Sequence, residues 1–150
     1  MSERDDSSWP LAKRLGLRDD TRALLLEPPV GFERKLQPLP PGATVATRPF
    51  GQADVIVLFA SSRAVLMELF HKATQAMAPR AHIFACWPRK SSGMFTDLTE
   101  EQVRAVGLSN GLTDDKFLSL DETWASLRFV FKERPRRNLP RTSEVQIPDA

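Results

Sequence analysis

The chain has 150 residues, of which 41% are hydrophobic, a formal net charge of +2 and a pI near 9.0. This length supports one domain whose core needs neither disulfides nor metal. The single cysteine, Cys86, excludes an intramolecular disulfide and a cysteine-rich metal site. The longest apolar run, Ala53 to Ala60, is too short to span a bilayer, and the first ten residues are charged rather than apolar. We therefore expect a reduced, cytoplasmic protein with no membrane partner.

The location of the charge argues against a nucleic-acid partner. Basic and acidic residues balance from Met1 to Phe131, so the excess positive charge lies from Lys132 onward. Proteins that bind nucleic acid usually carry a basic stripe on the folded face, whereas this excess lies at one end. We expect residues 133–150 to be a disordered, basic, proline-containing tail that aids solubility. The alternative is a tail that captures a partner protein.

In chain order, the first predicted elements are short. Residues 1–20 are expected to be a flexible lead with one helical turn, Pro10 to Leu15, because proline suits the first position of a helix. Residues 22–27 are expected to form a buried strand, which ends at the two prolines that follow. Residues 32–36 suit a short helix, and residues 43–48 alternate enough for a second strand.

A strand and two helices follow. Residues 54–60 form a β-branched run that is typical of a strand buried on both faces. Apolar residues then recur at helical spacing between a Ser61 or Ser62 cap and a Pro79 stop: Val65, Leu66, Leu69, Phe70, Ala73 and Met77. Residues 81–87 return to a strand. Thr99 to Gln102 has the form of a capping box, and Asn110 with Gly111 ends the helix that the box opens.

The last two predicted strands, residues 116–120 and 126–132, are close enough in sequence for an antiparallel hairpin. Alternation of strands and helices before them indicates a mostly parallel sheet covered on both faces. The predicted fold is therefore a three-layer, Rossmann-like α/β domain over residues 21–132, with about six strands and a C-terminal antiparallel hairpin. Such an ending resembles the class I methyltransferase variant of this fold.

Five separated segments carry a family resemblance: PLAKRLGL, DVIVLF, WPRKSSG, TDLTEEQVRAVGL and DETWASLRFVF. Together they resemble the bacterial family called domain of unknown function 3052, over Pro10 to about Lys132. The resemblance implies a small methyltransferase-like domain, and it implies no agreed activity.

The turn after the first strand argues against S-adenosylmethionine as a cofactor. Enzymes that use it place a glycine-rich turn there, so that backbone amides approach the ligand closely. This chain has EPPVGF at residues 27–32, with two prolines that carry no amide hydrogen. The second strand ends in Thr47 and Arg48, where a carboxylate that binds ribose would be expected.

The loop after Trp87 is the main candidate site, because ligands of open α/β sheets bind outside the carboxyl ends of the strands. It offers a cation, hydroxyls and a carboxylate that could hold a small anion such as a phosphate or carboxylate: Lys90, Ser91, Ser92, Thr96 and Asp97. The alternative is that these residues only cap the helix that follows. No metal site is expected.

The turn between the last two strands adds Asp121, Glu122 and Trp124, which we expect near Lys90. Asp121 and Glu122 could form an acid/base pair, with the indole of Trp124 as a stacking surface beside it. The alternative is that Asp121 and Trp124 only stabilise the turn. His71 and His82 have no Asp or Ser constellation in the sequence, and burial would make Cys86 unreactive.

Three functions stay open. The first is a non-catalytic module that binds a small anionic ligand or a partner protein. The second is a small transferase, such as a methyltransferase, acting at the carboxyl edge through Lys90 and the Asp121 and Glu122 pair. The third is an interaction protein that acts through its tail. We expect a monomer or weak dimer.

Overall fold

A computed structural model describes residues 9–132 of the chain. Its strands are β1 (Arg22–Leu26), β2 (Thr44–Ala46), β3 (Ala53–Phe59), β4 (Met77–Pro88), β5 (Leu112–Ser119) and β6 (Trp124–Phe131). Its helices are α1 (Leu11–Arg14), α2 (Phe32–Lys35), α3 (Arg63–Ala76) and α4 (Glu100–Ser109), and a 3₁₀ turn covers Lys90–Ser92.

The six strands form one sheet in the order β2-β1-β3-β4-β6-β5. Strands β1 to β4 pair in parallel, and β6 is antiparallel to both β4 and β5. Strand β5 therefore runs in the same direction as the first four strands. The predicted mixed sheet with a C-terminal hairpin is confirmed, and the carboxyl ends of β1 to β5 meet at one edge.

Two hydrophobic cores cover the two faces of the sheet. One lies under α3 and α4 and includes Leu24, Ile56 and Phe70; the other lies under α1 and α2 and includes Leu25 and Val57. Successive residues of β1 and β3 thus enter opposite cores, because side chains alternate across a strand. This arrangement explains why both strands are continuous apolar runs in the sequence.

The predicted caps of the two long helices are confirmed. Ser62 Oγ accepts a hydrogen bond of 3.2 Å from the Val65 amide at the start of α3. Thr99 and Gln102 form the reciprocal capping box of α4. After Asn110, Gly111 adopts φ of 82°, which suits a left-handed helix ending.

Strand β4 begins earlier than predicted. Helix α3 ends at Ala76, and β4 starts at Met77 and runs through Pro79 rather than beginning after it. Met77 pairs with Ala53, but the register then shifts before His82 pairs with Val55. Pro79 lies within this irregular stretch, where a strand tolerates a residue that has no amide hydrogen.

The predicted lead is partly integrated into the fold. Leu15 is fully buried, Ala12 and Leu17 are buried beside it, and the Arg14 Nη1 donates a 3.0 Å hydrogen bond to the Ser119 carbonyl. Apolar burial of α1 therefore extends the packed domain to the N-terminal side of residue 21. The remaining lead, residues 1–8, and the predicted tail, residues 133–150, lie outside the described residues. No helix within residues 9–132 is both long and apolar enough to cross a membrane.

Gly107 of α4 lies directly over the Phe129 ring, and a Cβ there would overlap the ring. Phe129 is fully buried and packs edge-on against Phe70, with the ring centroids 5.1 Å apart. Gly107→Ala gains about 1 kcal/mol of helix propensity, but overpacking costs up to about 3 kcal/mol. We expect the free energy of unfolding in urea to fall by about 2 kcal/mol.

Leu108→Ala is the matched control, since Leu108 is on the exposed side of the same helix. Its effect should stay within about 0.5 kcal/mol. Equal effects of the two substitutions would contradict the close packing of α4 on β6.

Candidate functional site

A cavity of about 740 Å³ lies at the carboxyl edge of the sheet, beside the ends of β4 and β5. We call it the edge cavity. Its lining comes from α2, the loop after β4, the end of β5 and the turn between β5 and β6: Lys35, Arg89, Ser91, Ser119, Asp121, Glu122 and Thr123. The cavity exists because β5 ends at the same edge as β4, with β6 between them.

Asp121 organises the turn between β5 and β6. Its Oδ1 accepts hydrogen bonds of 2.8 Å from the amides of Thr123 and Trp124, and its Oδ2 accepts one of 3.0 Å from Lys35 Nζ. Partial burial raises the pKa of Asp121, but the hydrogen bonds from Trp124, Lys35 and Thr123 together outweigh burial and lower the pKa below its ordinary value. The Asp121 carboxylate is therefore ionised at neutral pH.

Hydrogen bonds from Arg89 connect the end of β4 to the same turn. Its amide donates to the Thr123 carbonyl at 2.8 Å, and its Nε donates to the Asp121 carbonyl at 3.0 Å. Its Nη2 also donates to Ser119 Oγ. Among the described residues, the Arg89 Nη1 has no hydrogen-bond partner. The guanidinium is thus held in place while one of its nitrogens stays available.

The structure brings together three of the residues that the sequence indicated, because Ser91, Asp121 and Glu122 all line the edge cavity. Trp124 contributes its amide to Asp121, while its ring packs edge-on against Phe59 with centroids 5.1 Å apart. Its indole is therefore part of the packing beneath the turn.

Lys90 does not take the predicted place beside Asp121. It lines a neighbouring cavity of about 540 Å³ that shares Arg89 with the edge cavity and also includes Glu100, Glu101 and Arg104. Lys35 instead pairs with Asp121. Neighbouring residues of the 3₁₀ turn, Lys90 and Ser91, therefore line different cavities.

The three other predicted residues of this loop bind backbone groups. Ser92 Oγ accepts from the Met94 amide at 3.1 Å. Thr96 Oγ1 donates to the Ser61 carbonyl at 2.7 Å and accepts from the Leu98 amide at 3.1 Å. Asp97 Oδ1 accepts from the Arg63 amide at 3.0 Å, in the first turn of α3. The contacts of Thr96 and Asp97 hold the loop across the start of α3, and none of the three residues lines the edge cavity.

Sequence reasoning missed four lining residues: Lys35, Arg89, Ser119 and Thr123. Arg89 is adjacent to Lys90 in the predicted loop, so a search of that loop for a second cation would have found it. Ser119 lies near the end of the strand predicted before the turn, and Thr123 lies within the predicted turn, between Glu122 and Trp124. Lys35 is 86 residues from Asp121, and no local pattern connects them.

Other nucleophilic or basic groups lie away from the edge cavity. His71 contacts Gln75 on the surface of α3 at 3.1 Å, and the His82 Nε2 lies 3.1 Å from the Leu15 carbonyl. Burial, and then the charge of Asp121, raise the pKa of the Cys86 thiol well above its ordinary value. Within residues 9–132, no group of three or more His, Cys, Asp or Glu side chains is placed to hold a metal ion.

The turn after β1 does not fit a cofactor cradle made of backbone amides. Pro28 and Pro29 lack amide hydrogens, and the Phe32 amide already donates to the Pro29 carbonyl at 3.0 Å. A Cβ on Gly31 would meet nothing within 4 Å, so no close approach requires that glycine. Helix α2, which follows, has four residues. Pro28, Pro29 and Phe32 therefore offer no free amide hydrogen of the kind that the fold resemblance implies for S-adenosylmethionine.

Comparison with solved structures shows the fold. A SAM dependent methyltransferase from Aquifex aeolicus matches with a TM-score of 0.61 and 10% identity, over 83% of this chain and 88% of that one. A ribosomal protein L11 methylase from Lactobacillus delbrueckii subsp. bulgaricus matches with a TM-score of 0.59 and 10% identity, over 88% and 81%. The structure described as a DhpI-SAH complex matches with a TM-score of 0.58 and 13% identity, over 86% of each chain.

No family model matches the chain, and the search of curated proteins found no match. The likeness in structure is therefore a likeness of fold. The chain has the Rossmann-like fold of the methyltransferases, with the C-terminal hairpin that its strand order shows.

Asp121→Asn tests the charge of the turn. The folded pKa of Asp121 lies below its unfolded value of about 3.9, so ionised Asp121 stabilises the fold above that pH, and this contribution is lost as the pH falls through the folded pKa. We expect Asp121→Asn to lower the free energy of unfolding most near neutral pH, and the deficit to shrink toward about pH 3.

Urea unfolding across this pH range measures the deficit, with Glu122→Gln as the control because Glu122 is exposed on the same turn. A deficit that is the same at neutral and acidic pH would contradict the role of the Asp121 charge.

Proposed function

We propose that this chain is a non-catalytic, methyltransferase-like module that binds a small anionic ligand in the edge cavity. The strongest support is the hydrogen bonding of the Arg89 side chain. Ser119 and the Asp121 carbonyl hold its guanidinium, and its Nη1 has no partner among the described residues. A held guanidinium loses little freedom on binding, and its planar shape matches a carboxylate or phosphate.

Lys35 supplies a second cation. Its side chain is 56% exposed, so it can turn from Asp121 toward a ligand without leaving a buried charge unpaired. Asp121 would keep the amide hydrogen bonds from Thr123 and Trp124. The edge cavity, about 740 Å³, is within the usual size range for small-molecule sites.

The described residues also support a non-catalytic role. Three donors occupy the Asp121 carboxylate, and the hydrogen bonds that lower its pKa make it a poor proton acceptor. Neither histidine lines the edge cavity, and Cys86 is fully buried. The lining therefore supplies binding groups without a paired nucleophile and base.

The same proposal includes membership of the bacterial family domain of unknown function 3052, on the five sequence segments described above. It takes the protein to be cytoplasmic and monomeric or weakly dimeric.

A small methyltransferase is the second candidate, and the fold favours it, since matched methyltransferases cover most of this chain. A protein-binding role is supported by exposed apolar side chains in the loops at this edge. Val30 follows β1, and Met94 and Phe95 follow β4, with Phe95 88% exposed.

Thermal unfolding of the full chain tests these alternatives with phosphate, citrate, nucleotides and S-adenosylhomocysteine. A ligand at about 100 times its Kd adds about 2.7 kcal/mol, which raises the Tm by several degrees. We expect at least one simple anion to raise the Tm. Arg89→Gln should weaken its binding about tenfold or more, which is the loss of a charge-assisted hydrogen bond.

Lys90→Gln is the matched control, because Lys90 is an exposed cation of the same loop that lines the other cavity. It should leave binding unchanged. A shift with S-adenosylhomocysteine that Arg89→Gln leaves unchanged would favour the methyltransferase candidate, because S-adenosylhomocysteine also carries a carboxylate that the edge cavity could bind. The absence of any shift would contradict ligand binding and favour the protein-binding role.

A further inference from the structure

Two opposite charges in the edge cavity form no ion pair with any residue that the structure describes. Lys35 and Asp121 neutralise each other at 3.0 Å, which leaves Arg89 and Glu122. The Arg89 Nη1 makes no hydrogen bond to a described residue, and Glu122 forms none and joins no ion pair within residues 9–132. The cavity therefore presents one available cation and one available carboxylate.

These two groups are close in the fold but do not bind each other. The Arg89 Nε donates to the carbonyl of Asp121, the residue before Glu122, at 3.0 Å. Both side chains line the same cavity, yet no ion pair joins them. Ser119 Oγ and the Asp121 carbonyl hold the guanidinium, which keeps it from turning freely toward Glu122.

We infer that the ligand of the edge cavity is a zwitterion, a small molecule that carries both a carboxylate and an ammonium group. This inference rests on the anion-binding role proposed for Arg89 and changes the ligand as a whole: the group that Arg89 binds is the carboxylate of a ligand that carries no net charge. The ligand carboxylate binds Arg89, with Lys35 beside it, and the ligand ammonium binds Glu122. Ser91 and Thr123 also line the cavity, and a hydroxyl can accept a hydrogen bond from the ligand ammonium.

The charge balance of the lining favours a zwitterion over a multiply charged anion. Two cations and two carboxylates line the cavity, so a phosphate ester would bring its charge close to Glu122 and Asp121. Asp121 stays ionised at neutral pH, because its hydrogen bonds lower its pKa. A zwitterion has no net charge, and each of its two charged groups would bind a side chain of opposite charge in the cavity.

Calorimetric titration of the full chain, at low salt and neutral pH, tests the inference with matched pairs of probes. Glycine, 4-aminobutyrate and 6-aminohexanoate offer three separations between the ammonium and the carboxylate. Acetate, butyrate and hexanoate are the same chains without the amine. We expect at least one amino acid to bind about tenfold or more tightly than its amine-free partner, because the pair differs by one charge-assisted contact.

Glu122→Gln should remove this preference and leave the affinity for the amine-free acid equal or higher. Glu101→Gln is the matched control, because Glu101 is an exposed carboxylate that lines the other cavity. It should leave the preference unchanged. Glu122 is exposed, so its substitution leaves the core intact, and circular dichroism verifies the fold of both variants.

The outcomes separate this inference from the proposed function. If an acid and its amino-acid partner bind equally tightly, and Arg89→Gln weakens the binding of both, the zwitterion inference is wrong and the anion site is retained. A preference that survives Glu122→Gln also overturns the inference. Failure of all six probes, together with the absence of any anion-induced Tm shift, overturns both.

Discussion

Strand β6 lies antiparallel between β4 and β5, and the carboxyl edge depends on this position. Six residue pairs connect β4 with β6, from Ile83 and Phe129 to Pro88 and Trp124. Because β6 runs antiparallel to both strands, β5 runs in the same direction as β4 and ends at the same edge of the sheet. The loop after β4 and the turn after β5 are thereby held at one place. A parallel crossover in place of the hairpin would not bring the turn of Asp121 directly back to Arg89.

The layer formed by α1 and α2 is thin, and this changes what the edge can bind. Each helix has four residues, so aromatic packing replaces helix packing near the ends of β1 and β3. Phe32 packs edge-on against Phe59 at 4.8 Å, and Phe59 packs against Trp124 at 5.1 Å. This row of rings connects the turn after β1 to the turn before β6. The polar groups that could receive a ligand come from the same segments, since Lys35 follows Phe32 on α2 and Asp121 precedes Trp124 in the turn.

The charges of the candidate site belong to a few side chains at this edge of the sheet. The body of the chain is neutral over residues 1–131, so no general field attracts anions to the edge cavity. The recognition that we propose there would depend on two features: the Arg89 guanidinium, which backbone and hydroxyl oxygens hold, and the ion pair between Lys35 and Asp121. An exposed pair of this kind contributes about 1 kcal/mol or less to stability, which makes a binding role compatible with a stable fold.

The sequence by itself determined the elements whose signals are local. Apolar runs predicted β1 and β3, helical spacing predicted α3, and the Thr99 to Gln102 box located the start of α4, because periodicity and capping involve residues a few positions apart. The proximity of the last two predicted strands also indicated the hairpin. The sequence also predicted the correct edge of the sheet for Ser91, Asp121 and Glu122, because the direction of a strand determines where its end lies.

Only the tertiary structure decided which charges meet. Lys35 reaches Asp121 across 86 residues, while Lys90, three residues beyond Trp87, lines another cavity. The structure also assigned Thr96 and Asp97 to the start of α3 and brought α1 into the core through Leu15. These outcomes depend on side-chain direction and on the packing of segments distant in sequence. Residue type and spacing identify groups that can bind, but three-dimensional packing selects their partners.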